Sequence, residues 1–262
     1  MIGFTQVDLG NGVYAGFTSK FGGVSQAPYG SLNLGPNVQD APEAVAENRA
    51  ILAEHMGAPV VFSSQIHGSD FIFINDEAAS TWVGANPPVT AGPADALITT
   101  SRQVGLGVLV ADCVPVLLAS PPGGGTETGI VATAHAGRRG VELNVIAAIV
   151  AQMRAAGAQQ IKAAIGPAIC GNCYEVPAEM RAEVAALEPD AWAETRHGTP
   201  GLDLPAAVAD QLARAGVEIA YRSPHCTLES NDFYSHRRAT AEVATGGPGA
   251  TGRQAGAIRL LG

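Results

Sequence analysis

The chain has 262 residues, of which 47% are hydrophobic and 15% charged. That composition supplies an ample apolar core and excludes a disordered acidic chain. The net charge of −9 repels phosphate backbones and anionic membranes. The notable basic clusters, Arg138-Arg139 and Arg237-Arg238, are pairs rather than runs, so neither nucleic acid nor a membrane is expected as a partner.

In chain order the pattern alternates strand and helix. Val13–Ser19 reads as a strand, and Pro42–Gly57 as a helix with Pro near its start and Gly at its end. VVFSSQIHG and DFIFIND read as strands meeting at Gly68, and Gly84 to Gly92 as a Pro- and Gly-rich loop. ADALITT, VGLGVLVA, VPVLLAS and GIVATAHAG are rich in β-branched residues and Leu and read as strands. VELNVIAAIVAQMRAAG carries a helical period ending at Gly157. IKAAIGPAI is strand-like, PAEMRAEVAALEP and LPAAVADQLARAG are amphipathic helices, and IAYRSPHC, FYSHRR and AGAIRLL read as short closing strands. With no boundary visible, residues 1–262 are read as one α/β (α+β) domain, a layered sandwich with a mixed β-sheet core and flanking helices.

The longest apolar run, around Val104 to Ala119, is broken by Asp112, Cys113 and Pro115 and is not a membrane span. The amino terminus, MIGFTQVDLG, lacks the basic and apolar regions of a signal peptide. Together with only four cysteines, this favours a reducing, cytoplasmic setting. The oligomeric state is open, with a monomer the simplest case.

Three borderline-soft ligands share a local pattern. His67 in SQIHGSD, Cys113 in VADCVPVLL and His135 in ATAHAGRRG each stand beside an apolar strand and next to turn formers. One Cys and two His satisfy a catalytic zinc, which takes three protein ligands and keeps one position open. A metal-free Cys–His nucleophile pair is the rival. Asp112 interrupts an apolar run, so it either orients a ligand His, accepts a proton, or holds a turn amide. The CxxC at Cys170 and Cys173 has no second CxxC, and Cys226 adjoins His225 without knuckle spacing, so it reads as structural. FTSKFGGVSQAPYGSLNLG carries hydroxyls and paired glycines that suit close approach to an anion, but no GxGxxG or Walker pattern.

Taken in order, SxxGGVSxxPYxSLNLG, VxxNR, QxHG, ADCxPxLL, AHAGxRG, IGPxIxxxCYEV, Cys-Thr, FYSxRR and TGRQAG run through the chain from Phe17 to Leu261. This pattern resembles the YfiH, or laccase-domain, family, whose members are called multicopper polyphenol oxidase-like proteins, purine nucleoside phosphorylases and peptidoglycan editing factors. The resemblance implies an α/β sandwich distantly similar to the deamidase domain of cytotoxic necrotising factor. It implies zinc on His67, Cys113 and His135, and phosphorolysis of adenosine, inosine or guanosine, with adenosine deamination and methylthioadenosine phosphorolysis alongside. Copper fits less well, because six scattered His do not make several His-rich centres. Within this reading Cys113, Asp112 and Arg49 are the catalytic candidates. Ser31, Asn33 and Arg238 are candidates for substrate contacts, with Arg49 and Arg238 facing phosphate or ribose. The other readings are a peptidoglycan-precursor amidase and a non-catalytic envelope partner with a structural metal. Arg138 stands where the family has Trp, His236 where it has Tyr, and the Ala/Gly-rich segment 239–250 is longer than the family leads one to expect.

Overall fold

The computed structural model describes residues 2–85 and 90–262. In order the elements are β1 (Phe4–Val7), β2 (Val13–Thr18), α1 (Pro42–Met56), β3 (Val60–Ser64), β4 (Phe71–Ile74), α2 (Asp76–Ser80), β5 (Thr90–Pro93), β6 (Ala96–Thr99), β7 (Gly105–Val110), β8 (Val114–Ser120), β9 (Ile130–Ala136), α3 (Arg138–Glu142), α4 (Val145–Ala155), β10 (Lys162–Ile165), α5 (Ala178–Leu187), β11 (Trp192–Glu194), β12 (Pro200–Leu202), α6 (Leu204–Arg214), β13 (Glu218–Arg222), α7 (His236–Val243) and β14 (Gln254–Leu260).

Two six-stranded mixed sheets are stacked. One runs β1-β2-β14-β7-β3-β5 and the other β13-β10-β8-β9-β6-β4. Their central strands are buried on both faces, which is why they read as continuous apolar runs rather than alternating ones. Period-two geometry sorts each strand's residues between two cores. Val114, Val116 and Leu118 of β8 and Ala132 and Ala134 of β9 pack against α4 and α6 residues such as Ile149 and Val208. Leu117, Ala119 and Val131 face the opposing sheet, meeting Phe17, Leu106, Val108 and Ile258. A third core joins Leu52 and Met56 of α1 to Phe62, Ala255 and Ala257 on the outer face of the first sheet. The layers are therefore helix, sheet, sheet, helix, the sandwich the sequence predicts.

Several elements differ from expectation. β1 is a strand that the amino-terminal sequence does not announce, pairing antiparallel with β2. The strands on either side of Gly68 do not pair: β3 and β4 lie in different sheets. The expected loop at 84–92 ends in strand β5, while residues 86–89 lie outside the described residues. The long helix expected from Val141 breaks at Asn144, whose φ of 54° is left-handed and whose side chain caps the Ala147 amide of α4. FYSHRR is not a strand. Ser235 accepts a hydrogen bond from the Arg238 amide and starts α7 there, so an N-cap overrides the strand-like composition. That helix takes up 239–243 of the Ala/Gly-rich segment.

Candidate functional site

Three crossings and strand ends converge at one end of the sandwich. The chain passes from the first sheet to the second between β3 and β4, carrying His67, and again between β7 and β8, carrying Cys113. His135 is near the end of β9, on the inner face shared with Val131. The ligating atoms of His67, Cys113 and His135 all lie within 4.8 Å of one another. The two imidazole centroids are 4.8 Å apart at 78°.

The residue that organises the trio is Asp95, which the sequence reading passed over. It stands just before β6, 2% exposed. Its carboxylate accepts from three consecutive backbone amides: Ile66 at 3.2 Å, His67 at 3.0 Å and Gly68 at 2.6 Å. It also lies 2.8 Å from Nδ1 of His135. His67 has a φ of 59°, a left-handed conformation that costs a non-glycine residue roughly 1–2 kcal/mol, and Asp95's grip on the turn offsets it. With Nδ1 of His135 engaged, Nε2 is the nitrogen left for Cys113 or a metal.

Gly137 closes the site from behind. A Cβ there would lie 2.9 Å from Cδ2 of His67 and 3.2 Å from Sγ of Cys113. Burial pushes the Cys113 thiol up, but the charges and hydrogen bonds of His135 and His67 outweigh it and bring the thiol down to about 6. Burial works against His135 carrying charge. Cys113 and Asp95 reverse that and raise it to about 9. Both shifts favour a thiolate on Cys113 facing an imidazolium on His135, and a divalent cation would replace the imidazolium proton as the thiolate's counter-charge.

The trio opens into a cavity of about 620 Å³ whose wall includes Arg49, Gln65, Thr90, Leu109, His236 and Arg253. Among the described residues no carboxylate lines it. Arg49 comes from α1, is 3% exposed, and stacks 4.4 Å over the Phe62 ring. Its Nε donates to the Leu34 carbonyl, and its Nη1 is buried with no hydrogen-bond partner among the described residues. Burial pulls its guanidinium down to about 10. Arg253, just before β14, gives Nη1 to the Thr251 and Gly252 carbonyls. Gln65 is a tie rather than a reactant, exchanging hydrogen bonds with both the amide and the carbonyl of Leu109 to extend the β3–β7 pairing.

The structure places four of the expected site residues outside the cavity lining, in hydrogen bonds within the fold. Asp112 orients no ligand imidazole, because Asp95 does so. Its two oxygens accept from Thr227 Oγ1 at 2.6 Å and from the Arg237 amide at 2.7 Å. Ser31 does not line the cavity; its hydroxyl accepts from the Gly22 and Gly23 amides. Asn33 is fully buried and bonded to Gly35, Asp40 and the Arg253 amide. Arg238 is spent on the Thr227, Ser230 and Phe233 carbonyls. SLNLG and FYSxRR therefore shape the loops around the site, and the polar atoms of Ser31, Asn33 and Arg238 bond within the fold. Of the two single-residue departures from the family pattern, His236 does line the cavity, whereas Arg138 pairs with Glu142 at 2.6 Å.

A family model described as multi-copper polyphenol oxidoreductase laccase matches residues 14–261. The chain belongs to that family. It is 49% identical over 243 residues to a purine nucleoside phosphorylase of Streptomyces coelicolor, covering 91% of this chain and 94% of that one. The crystal structure of YlmD from Geobacillus stearothermophilus superposes with a TM-score of 0.81 at 35% identity, covering 96% of this chain and 93% of that one. A Neisseria meningitidis protein superposes at 0.79 with 35% identity over 99% of both chains. Both solved structures share the sandwich over nearly the whole chain.

Proposed function

We propose that this chain is a zinc-dependent purine nucleoside phosphorylase acting on adenosine, inosine or guanosine with phosphate. The observation that carries the reading is a cavity walled by Arg49, Arg253 and His236, with no described carboxylate, opening on the His67–Cys113–His135 trio. In a chain of net charge −9, such a cationic hollow focuses field lines on an anion the size of phosphate. Relatives named purine nucleoside phosphorylase, at up to 49% identity, support the nucleoside half.

The donor set fits zinc. It offers one thiolate and two imidazoles, a carboxylate behind one imidazole, and a glycine where any side chain would intrude. Three protein ligands leave one position open, which is the catalytic rather than the structural pattern. Bound there, zinc would supply a Lewis acid beside the cavity. One thiolate and two imidazoles do not make a multicopper centre.

The protein's own groups account for binding and orientation. Arg49 and Arg253 hold phosphate against C1′ of the nucleoside. An oxygen of hydrogen phosphate bonds to C1′ as the bond from C1′ to the base nitrogen breaks, and the proton that phosphate gives up leaves on the base, giving ribose 1-phosphate and the neutral base. His67 and His135 stay fixed by Asp95 while this happens. Asp112 acts by positioning, holding Thr227 and the start of α7 so that His236 faces the cavity. Adenosine deamination and methylthioadenosine phosphorolysis would use the same cavity. A cytoplasmic location keeps the four free cysteines reduced; no described helix is long and apolar enough to cross a membrane.

The test is a product assay of purified, metal-quantified protein with adenosine, with and without phosphate. The reading predicts adenine and ribose 1-phosphate only when phosphate is present. Inosine as the sole product under both conditions would replace phosphorolysis with deamination.

A further inference from the structure

A second group of soft ligands lies apart from the cavity. Cys170 and Cys173 follow β10 in the turn ICGNC, and Cys226 and Glu229 lie in the turn after β13. Their sulfur and carboxylate atoms all lie within 4.8 Å of one another. The sequence denies the CxxC a partner because Cys226 is remote along the chain and adjoins only His225. The fold supplies the partner through a parallel bridge between Ala168 and Cys226.

We propose that Cys170, Cys173, Cys226 and Glu229 form a second, structural zinc site, distinct from the His67–Cys113–His135 trio. Four observations support it. The four donors complete the closed set of a structural zinc, whereas the trio has three. Sulfurs around a tetrahedral zinc stand roughly 3.8 Å apart, and the observed cluster needs only a small contraction to reach that. A tight turn brings the two CxxC sulfurs together: the Cys173 and Tyr174 amides both donate to the Cys170 carbonyl, at 2.9 and 3.0 Å, and the Cys170 amide donates to Sγ of Cys226 at 3.4 Å. Arg196 donates to Sγ of Cys173 at 3.1 Å and to the Glu229 carboxylate. Three thiolates and a carboxylate around a divalent ion leave two negative charges, and Arg196 offsets one.

The electrostatics agree. Burial and the neighbouring sulfurs push the Cys170 and Cys173 thiols up, so a cation is what would draw the protons off these two sulfurs. Zinc binding displaces three thiol protons to solvent and changes no oxidation state. The ion would clip two loops that support the first site indirectly, through Asp112 and the start of α7. Thr227, next to Cys226, holds Asp112, and Arg238 grips the Thr227 carbonyl.

The full-length Cys113→Ala variant isolates the second cluster. Stripped of metal, reduced and titrated with cobalt(II), it is expected to bind about one ion with a tetrahedral spectrum and the intense sulfur-to-cobalt absorption of several thiolates. Adding Cys226→Ser should abolish that absorption. If the serine variant does not fold, Glu229→Gln in the same background should still bind cobalt with at least about tenfold lower affinity, as expected on losing one of four ligands. No cobalt uptake by reduced Cys113→Ala protein overturns the site. So does a cobalt affinity indifferent to both Cys226→Ser and Glu229→Gln. A Cys170–Cys173 disulfide forming in air in a protein that takes no cobalt when reduced would make the pair a redox couple instead.

Discussion

Asp95 and His135 are bound twice: the carboxylate lies 2.8 Å from Nδ1 of the imidazole, and the His135 amide donates to the Asp95 carbonyl at 2.7 Å. Because the same carboxylate holds the amides of residues 66 to 68, one side chain sets the positions of two of the three proposed ligands. Asp95→Asn keeps the shape but presents an amide N–H₂ where one acceptor is needed. Zinc affinity at the trio, measured by chelator competition, should fall about 10- to 100-fold. Unchanged affinity would remove Asp95 from the metal's support.

Gly137→Ala should lower metal content while leaving the fold intact. The φ of Gly137 is −74°, so alanine suits the backbone. The added methyl lies 2.9 Å from His67 and 3.2 Å from the Cys113 sulfur, closer than ordinary contact. Zinc analysis and far-UV circular dichroism on one sample separate the two effects. Full zinc retention would show that the trio does not need the space.

Arg49→Ala and Arg253→Ala should each raise the phosphate KM about 10- to 100-fold, the loss of a charge-assisted contact giving ~1.5–3 kcal/mol. Adenosine deamination, which consumes no phosphate, should suffer less. Equal loss of both activities would take the arginine concerned out of the phosphate role.

Asn48, beside Arg49 on α1, serves as the control. It is fully buried, accepts from the Val24 amide, and donates to Ser25 Oγ and to the Ser31 and Asn33 carbonyls. Asn48→Ala leaves those groups unpaired and should destabilise by about 3 kcal/mol, lowering Tm by roughly 6–12 °C. The phosphate KM should move far less than in Arg49→Ala.

The layers and the trio were legible in the sequence for related reasons. Strands buried on both faces announce themselves as apolar runs, and the three proposed ligands at their ends sit beside Gly and Pro. Asp95 was hidden because adjacency in sequence favoured Asp112, next to Cys113, as the orienting carboxylate. Asp95 reaches His135 only through the β6–β9 register, which pairs Ala96 with Ala134. The same long-range pairing hid Cys226 from the CxxC. Ser31, Asn33 and Arg238 looked like substrate contacts because polar groups in glycine-rich loops suit either a ligand or the loop's own backbone, and here the backbone takes them. Helix α7 was missed because Ser235's capping role depends on where its side chain points, which composition does not reveal.

The most direct test of the central claim is the rate of phosphate-dependent base release by Cys113→Ala against the wild-type protein, with both confirmed folded. Losing the thiolate of the trio should cost several kcal/mol of transition-state stabilisation, a fall of at least about a hundredfold. A variant that releases base and forms ribose 1-phosphate at the wild-type rate would contradict the assignment of the chemistry to this site.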